Sequence, residues 1–582
     1  MRRSRLSRLL TRYPARLSSF VKRYRSSAQI VAGALAIGLG FWGWLINDHP
    51  TNFAGYLNSF FRTLQLITLQ FPTQFSNSVP WQLQIARLLM PLVAAAASFH
   101  VLVGAISRPF RLALLPHIQD HIIFCGDARL AEAAFASLAE RGERIAVVMA
   151  TIDPARRDAL ESSGLTVVEA DPEHSATWRA LNVEAAAALF VIGPKDIDNM
   201  NSVMTALQEN KQRGSDKPPL VLAVLIERED LAAELDTALD EIARLNHVRY
   251  HRLCPDKEGV RLELATHAPV FRKHDLDIAS HVMVVGLSGQ WEEVVGQILL
   301  SAQDHPTKRP VFTFILKPSE VASLDKWCAD KPGLDLVIEI ERLVSGSGLL
   351  PDAAQADDWR QRREPPQLAV ILAEDADALA IALALRRPGG SFNIGSAPIL
   401  VRQQREDRIL AALSTTRISD RDLSGLVAFG GLIRADTIAR VLDRKGDEVA
   451  IALHASYLEG AKNAPPGSAV AIAAWDALPE NLRDSNRASA DHAPILLASQ
   501  GLAAPVDPAQ LPSEMMDRLA RIEHRRWLTE RILRGWRYGP VRDDSRRLHP
   551  SIVDFDALSA DEKAKDARAA AALLRLAARK AT

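Results

Sequence analysis

Residues 30–46 read Ile30-Val-Ala-Gly-Ala-Leu-Ala-Ile-Gly-Leu-Gly-Phe-Trp-Gly-Trp-Leu-Ile46 and contain no charged side chain. A run of this length approaches the roughly 20 residues that cross a bilayer as a helix. A second apolar run, from Ile85 to Ile106, carries Arg87 near its start and Pro91 soon after it, a proline that a membrane helix tolerates. The two runs predict a transmembrane hairpin over residues 28–106, and the rest of the chain is organised around it.

The loop between the two runs is the next feature. Residues 56–72 are too polar and too few for a third span, and they predict a re-entrant helix followed by an extended segment. Such backbone survives at membrane depth only where it lines a cavity or is covered by protein. The alternative is an aromatic, amphipathic linker that lies at the outer interface.

Basic residues flank the hairpin on one side. The arm at residues 1–27 contains no acid, and Arg108 and Arg111 follow the second run. By the positive-inside rule both termini are cytoplasmic, which predicts a multi-pass inner-membrane protein. The arm favours anionic lipid headgroups as its partner. Its basic residues are Arg2, Arg3, Arg5, Arg8, Arg12, Arg16, Lys22, Arg23 and Arg25.

The overall composition excludes some classes of function. The 582 residues include 70 basic and 70 acidic side chains, and this balance argues against a nucleic-acid surface. The cysteines Cys125, Cys254 and Cys328 are far apart, which indicates a reducing compartment without disulfides. The chain after the hairpin is long enough for roughly three domains.

After a linker at residues 107–119, a strand over residues 121–126 runs into a glycine turn and an alanine-rich helix. Further strands are predicted at residues 144–149, 165–168, 188–192 and 220–226. This alternation predicts a doubly wound α/β domain with a parallel sheet over residues 120–252.

The glycine turn is an incomplete dinucleotide fingerprint. Gly126 is present, but Ala128 and Ala131 replace the later glycines, and Met149-Ala150-Thr151 stands where a ribose-binding acid is expected. The turn residues Gly126, Asp127 and Arg129 remain candidate ligand contacts, and a purely structural turn is the alternative.

The same pattern restarts after a crossing segment at residues 253–280 and predicts a second Rossmann-like domain at residues 281–440. Its later strands are predicted at residues 311–316, 334–340, 368–372, 399–402 and 426–429. Lys317 follows the second strand, so the ribose acid is again missing.

Two patterns in and before the second domain are interpreted as incidental. Gly286-Leu-Ser288-Gly289 lacks the final glycine of a hydrolase elbow, because Gln290 stands there. His247, His251 and Cys254 have zinc-like spacing, but strand alternation turns neighbouring side chains to opposite faces. We therefore expect no catalytic residues, no metal site and no enzyme activity.

The C-terminal region, residues 445–578, is rich in tryptophan and arginine around a predicted helix that ends near Gly535. Aromatic faces beside guanidinium groups suit a planar anionic ligand such as an adenine nucleotide. The alternative is that these side chains hold a small helical core together. The candidate ligand residues are Asn486, Arg487, Arg526, Trp527, Trp536, Tyr538, Arg542 and Asp543.

The hairpin resembles the pore module of the two-span cation channels. The loop residues that align with the potassium filter are Thr68, Leu69, Gln70, Phe71 and Pro72. Gln70 and Pro72 stand where the filter has glycines, so the resemblance implies a pore without potassium selectivity. It also implies a symmetric homo-oligomer, a tetramer.

The soluble part carries two further resemblances. His121-Ile-Ile-Phe-Cys-Gly126, Val168-Glu-Ala-Asp171 and Leu189-Phe-Val-Ile192 followed by Asn199 resemble the TrkA-N, or RCK, domain, in which the Asp171 position and the glycine turn face the ligand. Gly535-Trp-Arg-Tyr-Gly-Pro540, together with His524-x2-Trp527 and His549-Pro550, resembles the ryanodine-receptor repeat, or RyR, domain.

The predicted fold is therefore multi-domain: an α-helical transmembrane hairpin, two α/β Rossmann-like (RCK/TrkA-N) domains and a mainly α-helical RyR domain. The expected function is poorly selective cation flux controlled by a cytosolic small-molecule ligand. The alternatives are a non-conducting, membrane-anchored nucleotide sensor or regulatory subunit, and a nicotinamide-dependent oxidoreductase, which the incomplete fingerprints disfavour.

Overall fold

The computed structural model describes residues 15–577 apart from a set of short gaps. Most of the basic arm and Pro72 lie outside the described residues. The chain divides into two compact units, one made of Met1–Ile118 and Glu140–Glu143, the other of Gln119–Ala139 and Arg144–Thr582. The gaps are residues 72–77, 212, 215–216, 229–231, 233–234, 236–237, 240, 244, 347, 388, 391, 393, 404–416, 419–420, 423–424, 444–446, 462–473, 476–477 and 504–505.

The first compact unit is a helical hairpin with a helix in its loop. Its helices are α1 (Ala15–Asp48), α2 (Phe53–Gln65) and α3 (Trp81–Leu114). Asn52 caps α2 by accepting a hydrogen bond from the Gly55 N–H at 2.9 Å, so the predicted loop helix is present. Short 3-10 turns follow α2 at Leu66–Thr68 and α3 at Leu115–His117.

Glycines let α1 approach the other helices closely. A Cβ at Gly40 would lie 2.7 Å from Thr63 Cγ2, and one at Gly43 would lie 2.6 Å from Leu83 Cγ. The packed interior around them is small and apolar, since Ala36, Leu66, Ala86 and Met90 are buried together. The helices of this unit therefore pack through small residues, as membrane helices commonly do.

Among the described residues, one stretch is apolar and long enough to cross a bilayer, namely Val31–Asp48 near the N-terminus. It overlaps the predicted first span. The predicted second span, residues 85–106, lies inside the continuous helix α3. The two-span arrangement in a membrane stays a prediction.

The first α/β domain has a six-stranded, fully parallel sheet. Its strands are β1 (Ile122–Gly126), β2 (Ile145–Met149), β3 (Thr166–Glu169), β4 (Ala188–Ile192), β5 (Leu220–Leu225) and β6 (Val248–Leu253), in the order 3-2-1-4-5-6. This is the Rossmann order, whose ligand crevice opens where β1 and β4 part. Its helices are α4 (Glu132–Glu140), α5 (Pro154–Ser162), α6 (Ser175–Ala180) and α7 (Asp196–Asn210).

The second α/β domain repeats the same topology. Its parallel strands are β7 (His281–Val285), β8 (Val311–Leu316), β9 (Glu339–Val344), β10 (Leu368–Ile371), β11 (Ile399–Arg402) and β12 (Leu426–Phe429). Counted from β7, they again follow the order 3-2-1-4-5-6. Its helices are α9 (Trp291–Ser301), α10 (Val321–Ala329), α11 (Ala353–Arg362) and α12 (Asp375–Leu385), while α8 (Pro255–His267) precedes β7. The two predicted Rossmann-like sheets are thus confirmed.

One predicted strand, at residues 334–340, is misplaced. Gly333 adopts φ +90° and starts a 3-10 turn over Leu334–Leu336, so the strand begins only at Glu339. The apolar run is nevertheless buried, since Leu334, Val337 and Ile338 belong to the domain core. The apolar run therefore predicted correctly that these residues are buried, but it did not show that the first of them form a 3-10 turn and not a strand.

The helices that follow the sixth strands are exchanged between the two domains. Helix α8 follows β6, yet its Val260 and Leu264 belong to the core of the second sheet. Helix α13 (Ala435–Asp443) follows β12, yet Ile438 and Val441 belong to the core of the first sheet. Each domain thus completes its core with a helix that leaves the other.

The C-terminal part is helical. It contains α14 (Glu448–Ala461), α15 (Glu480–Ala498), α16 (Ser513–Leu533) and α17 (Ala560–Ala577). Leu519 and Ile522 of α16 pack with Leu573 and Leu574 of α17. Two short strand pairs complete the described elements, Arg417–Ile418 with Arg421–Asp422 and Arg537–Tyr538 with Leu548–His549.

Candidate functional site

The glycine turn after β1 is built for close packing. Gly126 has φ +106°, and a Cβ there would lie 2.5 Å from the Gly193 backbone nitrogen at the end of β4. Asn199 holds the same edge, because its Oδ1 accepts from the Gly193 N–H at 2.7 Å and its Nδ2 donates to the Leu225 carbonyl at 3.0 Å. Gly126 is therefore required by the fold, whatever the turn binds.

In this turn, the backbone N–H and the guanidinium of Arg129 already donate hydrogen bonds to Asp127. The Asp127 carboxylate accepts from the Arg129 N–H at 3.0 Å and from its guanidinium. Although burial opposes the effect, these hydrogen bonds hold the pKa of Asp127 below its ordinary value. Asp171 lies at the same sheet edge, accepts from the Glu173 N–H and pairs with His174 at 3.0 Å. Arg129, Asp127 and Asp171 thus already have partners at this edge.

The second candidate site is built by the end of helix α16. Trp527 and Arg531 are four residues apart, so their side chains share one helix face. Gly535, with φ +75°, ends the helix: its N–H donates to the Ile532 carbonyl and the Trp536 N–H to the Arg531 carbonyl, both at 2.9 Å. This Schellman motif folds Trp536 back beside Arg531.

The Arg531 guanidinium consequently lies between two indole rings. Its central carbon is 5.6 Å from the Trp527 ring centroid and 5.4 Å from that of Trp536. Both distances are within the range of cation–π attraction. Among the described residues this guanidinium makes no ion pair.

The surroundings of Arg531 carry charges of both signs. Burial lowers the pKa of Arg531, and Arg534, Arg526 and Arg542 act in the same direction, while Glu530 opposes them. A guanidinium without a direct carboxylate partner can bind an added anion. The site therefore combines two aromatic faces with a guanidinium that makes no ion pair among the described residues.

His549 joins the two tryptophans. Its ring centroid is 5.1 Å from that of Trp527 and 6.2 Å from that of Trp536. Burial, followed by the charges of Arg542 and Arg531, lowers the pKa of His549 to about 4. The imidazole is thus neutral at physiological pH and adds a third ring to the cluster.

The predicted ligand residues of this region separate into two groups. Tyr538 is 58% exposed beside the cluster, and Arg542 pairs on the surface with Asp544 at 2.6 Å. Asp543 accepts from the Ser545 hydroxyl at 2.6 Å and shapes the adjoining turn. Tyr538, Arg542 and Asp543 thus lie on or beside the strand pair that carries His549.

The other three predicted residues face inward. Arg526 is 2% exposed and is held between Glu523 at 2.8 Å and Glu530 at 3.0 Å. Arg487 is bound by Asp447, Glu480 and Asp484 at 2.7–2.9 Å. Asn486 donates to the Leu482 carbonyl within α15. The structure gives these side chains internal partners and does not bring them to the tryptophan cluster.

The sequence interpretation missed Arg531 and His549. The spacing of Arg531 could have revealed it, since it stands four residues after Trp527 and five before Trp536. Gly535, between Arg531 and Trp536, indicates the end of the helix. His549 carried no such signal, because only the pairing of Arg537–Tyr538 with Leu548–His549 brings its ring to the tryptophans.

The described pore residues, Thr68 to Phe71, include a tight turn. Thr68 ends a 3-10 turn and its hydroxyl donates to the Gln65 carbonyl at 2.9 Å, while Leu69 has φ +62°. The Gln70 N–H also donates to the Gln65 carbonyl, and the Phe71 ring lies 5.3 Å from the Arg87 guanidinium. Residues 66–68 therefore continue the loop helix as a 3-10 turn, and the extended segment predicted after the loop helix is described only up to Phe71.

Helix α16 also connects the tryptophan cluster to the second α/β domain. Its Leu528 and Ile532 belong to the core of that domain, and Arg525 donates to the Thr307 carbonyl at 3.1 Å. Helix α15 contacts the first α/β domain through Arg483, which donates to the Tyr250 carbonyl at 3.2 Å, and through Glu480, which pairs with His251 at 2.8 Å. The C-terminal helices thus make packed and charged contacts with both sheets.

Comparison with known proteins identifies two parts of the chain. Residues 122–238 match the family model of the TrkA-N domain, and residues 505–579 match that of the RyR domain. Among solved structures, a GsuK channel aligns with 16% identity over 73% of this chain and 98% of its own, with a TM-score of 0.36. GsuK bound to ADP aligns with 15% identity over 73% and 99% and a TM-score of 0.34, and a GsuK channel bound to NAD with 14% over 74% and 84% and a TM-score of 0.33.

Proposed function

This chain contains a TrkA-N domain and a RyR domain, and from that premise we propose that it is a membrane protein whose cytosolic part binds an adenine nucleotide or a related planar anion and thereby controls cation flux. The binding site is the cluster of Trp527, Arg531, Trp536 and His549. The hairpin spans the inner membrane twice with both termini in the cytoplasm, and copies of the chain assemble around a pore as a tetramer. In this role the chain catalyses no reaction.

The observation that supports the site is the position of Arg531 between two indole rings without an ion pair among the described residues. A base can stack on an indole face, while a phosphate forms charge-assisted hydrogen bonds with the guanidinium. The turn after β1 is a weaker candidate, because Asp127 already occupies the Arg129 N–H and guanidinium.

The path from the site to the hairpin begins in helix α16. Ligand contacts at Arg531 favour one position of this helix, whose Leu528 and Ile532 are packed in the second α/β domain. The exchanged helices α8 and α13 join that domain to the first, and residues 107–119 continue from there to the second span. A ligand that prefers one arrangement of these domains therefore shifts the population of the pore states.

A second candidate function is a non-conducting nucleotide sensor. It is favoured by the first two filter positions, because Thr68 ends a 3-10 turn and Leu69 has a positive φ although it is not a glycine. Gln70 and Pro72 also replace the filter glycines.

Calorimetry with an adenine nucleotide panel on the full chain in lipid nanodiscs tests the binding site. Trp536→Ala and Arg531→Ala should each weaken binding by roughly tenfold or more, because a stacked base is worth about 1–3 kcal/mol. Arg521→Ala is the matched control: this arginine lies on the same helix, 4.7 Å from the Phe555 ring, and should leave the affinity unchanged.

Two outcomes would contradict the assignment. In the first, the wild-type chain binds none of the nucleotides. In the second, both site variants bind them as tightly as the control does, and the ligand position then belongs to the TrkA-N domain.

A further inference from the structure

The second α/β domain contains the turn and helix N-terminus at which doubly wound sheets commonly bind anions. In a doubly wound sheet, anions bind beside the turn after the first strand, at the N-terminus of the helix that follows. Here that turn is residues 286–290, and the helix is α9, which begins at Trp291. Its N-terminal N–H groups point towards the carboxyl ends of the strands.

A side chain of the chain itself occupies this position. Asp256, in the first turn of the exchanged helix α8, is 2% exposed. Its Oδ2 accepts from the Gln290 N–H at 3.2 Å and from Arg402 Nε at 2.6 Å, and its Oδ1 accepts from the Gly431 N–H at 2.7 Å. The carboxylate therefore receives two backbone donors and one guanidinium donor, a set that suits a bound oxyanion.

Glycines shape the space around this carboxylate. A Cβ at Gly289 would overlap the Arg402 guanidinium, one at Gly430 would overlap Asp256 Oδ1, and one at Gly259 would lie 2.5 Å from the Gly430 nitrogen. Gly289 and Gly430 also have positive φ angles. Three glycines are thus needed for the arrangement, so the contact is built into the fold.

The Arg402 guanidinium at this position has an unused hydrogen-bond donor. Arg402 is 7% exposed, and its Nη1 is a buried donor without a hydrogen-bond partner among the described residues. An oxyanion with more acceptors than a single carboxylate can therefore be held at the same place.

We propose that Asp256 is an internal ligand: the second α/β domain keeps an oxyanion-binding position, and the chain fills it with its own carboxylate. The position takes a small carboxylate or phosphate when Asp256 is removed. It is closed to a nucleotide in the folded chain, and the contact fastens α8, which leaves the first sheet, to the turn of the second.

Chemical rescue of Asp256→Ala in the full-length protein tests this. The variant should unfold at a lower temperature than the wild type, and added formate, acetate or inorganic phosphate should restore most of the loss saturably, whereas chloride at equal ionic strength should not. The double variant Asp256→Ala/Arg402→Met should lose the rescue, and the wild type should not respond.

The matched control is Asp304→Ala, because Asp304 is also 2% exposed in the same domain and pairs with Lys273 at 2.8 Å. Equal rescue of this control would show a general response to any missing buried carboxylate and would overturn the proposal. Absence of rescue in a folded Asp256→Ala protein would do the same.

Asp256→Asn covers the case in which the alanine variant does not fold. The amide keeps the shape of the side chain but removes the charge that Arg402 and the two N–H groups bind, so its unfolding midpoint should also fall below that of the wild type. A midpoint equal to the wild type would contradict a site that selects an anion.

Discussion

Arg526 and Arg531 lie on either side of Trp527 in the sequence and have different surroundings in the structure. Both are arginines beside Trp527, yet Arg526 has Glu523 three residues before it and Glu530 four after it, which places it among acids on a buried face. Arg531 instead shares a face with Trp527. Helical spacing alone could have separated the two, whereas the contact of His549 depends on a strand pair between residues distant in sequence.

A pH dependence of stability follows from the buried histidines. Burial, followed by the charge of Arg526, lowers the pKa of His492 to about 3, and that of His549 is about 4, against an ordinary value of 6.5. The unfolded chain binds these protons more readily, so stability is complete above pH 6.5 and falls as the pH drops from there towards the folded values. The thermal unfolding midpoint measured across this range should fall on the acid side of neutrality.

His492→Gln is the variant that checks this origin. Its side-chain amide can still donate to the Gln303 carbonyl, which His492 Nε2 contacts at 2.8 Å, but it does not titrate. The midpoint should therefore fall less steeply with acid than in the wild type. An unchanged slope would assign the effect to other groups.

At the element scale, the strands were predictable and the exchange of helices was not. Strands β4, β8, β11 and β12 occur as predicted, because a parallel sheet covered on both faces needs continuous apolar runs. An apolar helix face shows that α8 must be buried, but not which sheet it covers. The exchange of α8 and α13 is a tertiary choice that local pattern does not encode.

The stability of helix α16 depends on Arg526. Arg526→Leu should destabilise the helix by about 3–5 kcal/mol, because Glu523 and Glu530 would remain buried without the cation they share. Amide hydrogen exchange of α16 is the measurement, since it reports one helix in a multi-domain chain. Arg521→Ala should cost about 1 kcal/mol or less, because its partners Asp517 and Asp556 are exposed. Equal loss of protection in the two variants would refute the shared-cation account.

For the whole molecule, the sequence predicted a membrane hairpin followed by several domains. Two parallel sheets and a helical C-terminal domain are present, and Val31–Asp48 has the length and composition of a span. One chain's sequence does not give the arrangement of copies in the proposed assembly, because a two-span hairpin can enclose a pore only together with copies of itself. In the proposed mechanism, the path from the ligand to the hairpin also runs through contacts that only the folded chain makes, such as those of α15 and α16 with the two sheets.

Cation flux into liposomes that contain the purified full-length protein shows whether the hairpin conducts under the control of a ligand. We expect potassium and sodium fluxes of similar size, because Gln70 and Pro72 replace the filter glycines. An adenine nucleotide on the cytosolic side should change the flux in the wild type and in Arg521→Ala, but not in Arg531→Ala. If the wild-type protein binds nucleotide and passes neither cation, the channel function is wrong and the chain is a non-conducting sensor.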